Sequence, residues 1–162
     1  MLSIRWMHIL FGLIIAATFA SCRHQIITPF NDDEFLPYGK LGTSTIQGQA
    51  FLKTRGGQVR YAAGNTVYLV PVTSYSRGIY SFREMPPTVD ERLRIFIRTT
   101  TADGSGNFEF KNIPAGEYYV ECGIFWEYYD GRRLAVTGDN VKIQTKLGPK
   151  QLLKVLLTKE IP

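Results

Sequence analysis

Two thiols, Cys22 and Cys122, and two imidazoles, His8 and His24, are all the chain offers of the residues that most often carry catalysis or bind metals. Both histidines lie near the start of the 162 residues, so whatever the rest builds works without imidazole. That excludes Ser-His-Asp and Cys-His nucleophiles and His-based zinc sites. Carboxylate pairs can cleave glycosides, and Glu109, Glu121, Glu127 and Asp130 are present. The glutamates, however, alternate with apolar residues and fall on the solvent side of strands, as solubility charges do. The acidic run Asp32-Asp33-Glu34 points its carboxylates in different directions, whereas a calcium loop spaces its ligands. Asp103-x-Ser105-x-Asn107 is better spaced, but Phe108 stands where such a loop needs Gly and Pro114 where it needs its bidentate Glu. It reads as a turn, and no metal, cofactor or catalytic residue is expected. Cys122, between Val120 and Ile124 and with no basic residue within two positions, reads as an inert core thiol.

The remaining signal is aromatic: 9 Tyr, 10 Phe and 2 Trp. Tyr119, Phe125 and Tyr129 share the odd face of one long strand, and Tyr75, Tyr80 and Phe82 lie in a long connection, residues 73–92. Brought to one side and left exposed, the six would make a platform for sugar rings or a patch for a protein partner. Folded over the strand, the connection would instead bury them as a satellite core.

The elements that must position these residues begin after an export signal. Arg5 and the amino terminus precede the apolar residues 9–20, which end in small side chains and stop at Ser21-Cys22. The run is shorter than the roughly 20 residues a membrane-spanning helix needs, and it fits a secretory signal peptide. The net charge of +5 is spread along the chain without a Lys/Arg block, so nucleic acid is not an expected partner. Residues 23–43 show no sustained period and read as a flexible tether that lifts the domain off a bilayer, with a few aromatics able to dock on the domain.

From Ser44 onward, apolar and polar residues alternate between turn dipeptides, the pattern of strands. Ile46 to Leu52 form a first strand and Thr66 to Val72 a second. A third carries Leu93, Ile95 and Ile97, and a fourth Phe108 and Phe110. The fifth is the longest, residues 117–129, with Tyr118, Val120, Cys122, Ile124, Trp126 and Tyr128 on its even face. Asp130-Gly131 makes a hairpin to a sixth strand with Leu134 and Val136. A Gly138-Asp139-Asn140 turn leads to a seventh with Val141 and Ile143, and Leu153, Val155 and Leu157 lie on a last one. Seven to eight strands without a helical stripe predict an all-β antiparallel sandwich.

Two stretches resemble known families. Phe19-Ala20-Ser21-Cys22 resembles the lipobox of bacterial lipoproteins, although Phe19 replaces the usual aliphatic residue. The resemblance implies that Cys22 is acylated after cleavage and anchors the chain, since two or more acyl chains hold a protein stably on a bilayer. Arg23, in place of an Asp that favours inner-membrane retention, implies the outer membrane, facing the periplasm. Farther on, Asp103-Gly104-x-Gly106-x-Phe108-x-Phe110-x-Asn112-Ile113-Pro114-Ala115-Gly116-x-Tyr118 resembles the signature of carboxypeptidase regulatory-like, or transthyretin-like, domains. Gly48-Gln49-Ala50-Phe51 and residues 63–69 resemble that module's opening strands. The implied organisation is a cleaved signal at 1–21, an acylated Cys and tether at 22–43, and a β-sandwich at 44–162. The implied role is non-catalytic: a lipid-anchored envelope module that binds or scaffolds a protein, or alternatively one that binds carbohydrate or peptidoglycan through exposed aromatics.

Overall fold

The computed structural model describes residues 28–81 and 89–161, so Cys22 and Phe82 lie outside the described residues. Where apolar residues alternate, strands form. β1 (Ser44–Thr54) turns Ile46, Ala50 and Leu52 inward, and β6 (Gly116–Tyr129) does the same with Tyr118, Val120, Cys122 and Ile124. Between them come β2 (Val59–Tyr61), β3 (Thr66–Pro71), β4 (Arg98–Thr101) and β5 (Asn107–Ile113), and after them β7 (Leu134–Leu147) and β8 (Leu152–Ile161).

These strands make two four-stranded sheets. In the first, β8 lies parallel to β1 along its length, while β5 and β2 share the opposite edge of β1, both antiparallel to it. The second has the antiparallel order β4-β3-β6-β7. Val67, Leu69, Phe108, Phe110, Val141 and Leu157 fill the space between the sheets, each at most 5% exposed. The Tyr118 hydroxyl, buried there, donates to the Pro114 carbonyl at 2.9 Å. The result is an all-β sandwich.

Four expectations change. The residues read as a third strand instead form a 3-10 helix, Glu91–Phe96. The Asp90 carboxylate caps it by accepting from the Arg92 N–H at 3.0 Å, and Leu93 is buried while Ile95 is 78% exposed, so the spacing that matters there is three, not two. The expected turn at Gly138-Asp139-Asn140 is strand: β7 runs unbroken opposite all of β6. Gly138, at φ +140°, lies so close to the Ile124 carbonyl that a Cβ would overlap it. The connection at 73–92 holds a helix, α2 (Ser74–Ser81). Its start is fixed by Ser76, whose hydroxyl accepts from the Thr73 N–H at 2.8 Å and donates to the Pro71 carbonyl at 2.7 Å.

The fourth change concerns the tether. Residues 28–43 pack on the sandwich, with a short helix α1 (Asp32–Phe35) and a 3-10 turn, Leu36–Gly39. Phe35 is fully buried and stacks on Phe30 at 4.4 Å. The Glu34 carboxylate accepts from the backbone N–H and the hydroxyl of Ser74 at 2.6 Å each, which holds its pKa below the usual value and places a negative charge at the start of α2. Arg92 lies over the Phe30 ring at 4.4 Å and pairs with Asp32 and Asp90. Exposed ion pairs of this kind contribute little, so the buried rings hold the segment.

Candidate functional site

The two outer faces of the sandwich meet different fates. On the β4-β3-β6-β7 sheet, α2 and the N-terminal segment cover the half that carries Val70 and Tyr119. Tyr75 is 4% exposed and Tyr119 8% exposed, in one cluster with Phe35, Val72 and Leu93. The partly buried Tyr80 ring sits 4.3 Å from that of Tyr119, with the Lys142 ammonium 4.1 Å from the Tyr80 centroid. Burial, with Glu121 beside it, pushes the Tyr80 hydroxyl pKa up. The Tyr75 hydroxyl accepts a hydrogen bond from the Asp90 N–H. Tyr75, Tyr80 and Tyr119 are therefore a satellite core, not an open platform.

Phe125 and Tyr129 lie elsewhere. β3 pairs with β6 only as far as Cys122, and beyond it β6 and β7 continue as a two-stranded ribbon to the Asp130 turn. Phe125, Tyr129, Leu134 and Val136 on this ribbon are 55–69% exposed. The predicted aromatic set is thus divided between a covered cluster and a bare ribbon, with Phe82 outside the described residues.

Cys122 lies in the main core, 1% exposed, its thiol donating to the Gly123 carbonyl at 3.6 Å. Burial pushes its pKa up to about 11, which keeps it protonated and unreactive at neutral pH. Among the described residues, no group of three or more His, Cys, Asp or Glu side chains is arranged to hold a metal ion. No helix among them is long and apolar enough to cross a membrane.

The outer face of the β2-β1-β5/β8 sheet is bare and ordered in rungs. Gln47 of β1 stands between Glu109 of β5 and Lys154 of β8. Gln49 stands between Asn107 and Leu156, and Phe51 between Tyr61 of β2 and Thr158. The Gln47 amide donates to Glu109 Oε1 at 2.8 Å, and Lys111 pairs with Glu109 Oε2 at 2.9 Å. These two contacts, Gln47 first, hold the Glu109 pKa below the ordinary carboxylate value. The Gln49 amide donates to the Ser105 carbonyl at 2.8 Å. Asp103 fixes that carbonyl's loop by accepting from the Ser105 and Asn107 N–H groups, both at 2.8 Å. Gly106, at φ +76°, lets this loop press against the Ala50 carbonyl, where a Cβ would overlap it, so β5 and β2 can both reach β1.

An open groove of about 740 Å³ reaches from this face past β5 to the edge of the other sheet, lined by Gln47, Gln49, Asn107, Glu109 and Lys154 together with Asp103 and with Thr100 and Thr101 of β4. Next to it lie the rings of Phe51 and Tyr61, edge to face at 6.0 Å, with Tyr61 47% exposed. Amide, carboxylate and ammonium groups beside exposed rings can bind a polyhydroxylated ligand, donating to and accepting from hydroxyls while the rings take apolar C–H faces. The sequence singles out none of these as a binding residue: Glu109 reads as a solubility charge, Asn107 as part of a turn, and Tyr61 falls outside every expected strand.

No protein-family model matches the chain, and no curated protein matches it. A minor pilin of Streptococcus agalactiae matches at 12% identity and a TM-score of 0.40, over 75% of this chain and 46% of that one; so slight a likeness carries no argument. A candidate carbohydrate-binding protein from Pseudomonas aeruginosa, solved as a crystal structure, is 26% identical with a TM-score of 0.73, over 83% of this chain and 100% of that one. The chain is an all-β sandwich similar, along most of its length, to that Pseudomonas protein.

Proposed function

We propose that this chain is a non-catalytic carbohydrate-binding module, held at the cell envelope by a lipid on Cys22 and oriented toward the periplasm from the outer membrane. The observation that carries the binding half is the bare rung of Glu109, Gln47 and Lys154 in an open groove. Such a set offers both donors and acceptors to hydroxyls. Likeness to a candidate carbohydrate-binding protein supports the same reading. The anchoring half rests on the lipobox-like residues 19–22.

A second reading, a module that docks an envelope protein, is favoured by the β6–β7 ribbon, where Phe125, Tyr129, Leu134 and Val136 stand exposed together.

Two assays test the halves separately. Retention on a glycan array and on insoluble peptidoglycan is expected for the chain from residue 22 carrying Cys22→Ser. Capture of an envelope protein with no retention on any glycan would favour the second reading. Radiolabelled palmitate is expected to enter the wild type and not Cys22→Ala; an unlabelled wild type found free in the periplasm would end the anchoring half.

A further inference from the structure

We infer that the ligand is an extended oligosaccharide segment laid along β1, gripped at one end by the polar rung of Gln47 and Glu109 and stacked at the other on Tyr61, a subsite distinct from the groove. The inference rests on the carbohydrate-binding reading above. It comes from the order of the rungs: Gln47, Gln49 and Phe51 alternate on one face of one strand, so polar and aromatic ends share a line. Phe51 lies four residue steps along the strand from Gln47, a span of about 13 Å at roughly 3.3 Å per residue, which one sugar ring does not cover.

The aromatic end is built in a way that core packing does not require. β2 is a three-residue strand, exposed at every position. Its middle residue, Arg60, faces the other way and lies 5.3 Å from the Trp126 ring centroid. That contact clips β2 against the body of the fold and presents Tyr61 outward, propped edge-on by Phe51. A half-exposed ring held in place from below loses little conformational entropy when a sugar ring stacks on it. Charge does not dominate the path, since Lys53, Lys111 and Lys154 on this face are countered by Glu109 and Glu160. Chain length and ring contact therefore set the affinity more than net charge does.

The test is isothermal titration of the chain from residue 22, carrying Cys22→Ser, with cellotetraose and chitotetraose and with their monosaccharides. The expected result is that the wild type binds a tetrasaccharide at least tenfold more tightly than its monosaccharide. Tyr61→Ala should remove that advantage and Tyr61→Phe should keep it, both with unchanged thermal melting, because Tyr61 sits on an exposed edge. Gln47→Ala should weaken tetrasaccharide and monosaccharide alike. If Tyr61→Ala leaves tetrasaccharide binding unchanged while Gln47→Ala abolishes it, the stacking subsite is wrong and the carbohydrate reading stands. If the wild type binds none of these sugars, the extended-site inference is overturned, and the array and peptidoglycan retention then decide whether the broader reading falls with it.

Discussion

One outer face of the sandwich is roofed and the other is bare, and the difference decides what their aromatic residues can do. On the β4-β3-β6-β7 sheet the N-terminal segment supplies Phe30 and Phe35, α2 supplies Tyr75 and Tyr80, and Tyr119 disappears beneath them. On the other sheet no described segment crosses Gln47, Gln49 and Phe51, so the same kinds of side chain remain available to a ligand. An outward-facing aromatic is therefore a binding candidate only after the chain's own covering segments have been accounted for.

Removing a ring from the roofed face breaks the comparison most severely. Phe35→Ala should cost about 3–5 kcal/mol, the usual range for deleting a buried Phe, read as a lower urea midpoint at unchanged slope. A flexible tether at residue 35 would instead leave the midpoint unmoved. On the bare face, substitutions such as Gln49→Ala should stay within about 0.5 kcal/mol of wild-type stability while changing ligand affinity. A large stability loss there would mean that the face is structural.

The smallest effect concerns Glu109. Its pKa is depressed in the fold, so the stabilising contribution of its contacts is present above the ordinary carboxylate value and is lost only as pH falls through the lowered one. Ligand affinity should therefore stay flat from neutral pH down to the ordinary carboxylate value, about 4.3, and decline only below it. A carboxyl titration followed by NMR should place Glu109 below the ordinary value, with Gln47→Ala raising it and Lys111→Ala raising it less. A Glu109 that titrates normally in the wild type would show the rung to be unformed in solution.

Much of the sandwich is legible from alternation alone. The even face of β6 from Tyr118 to Ile124 is buried as its pattern requires, and the Asp103–Gly106 turn carries β4 into β5 as its glycines imply. What misleads is local. Leu93, Ile95 and Ile97 alternate like a strand, but Asp90 caps a 3-10 turn, and the pairing of Leu93 with Phe96 in the satellite cluster at a spacing of three overrides the alternation. Gly138-Asp139-Asn140 looks like a turn because turn propensity is local, whereas β6 needs a partner as long as itself. The aromatic rings of residues 30–38 hold a helix and a 3-10 turn against the sandwich, although no period announces them. The candidate site was the least legible part. Gln47, Glu109 and Lys154 lie far apart in sequence, and only the pairing of β1 with β5 and β8 makes them neighbours.

The most direct test of the central claim is a map of amide chemical-shift changes as the best-binding glycan is titrated into the chain from residue 22 carrying Cys22→Ser. The account predicts that the shifts cluster at Gln47, Gln49, Phe51, Tyr61, Asn107, Glu109 and Lys154, with α2 and the ribbon around Phe125 and Tyr129 unmoved. Shifts concentrated on that ribbon, with the β1 rungs silent, would contradict it.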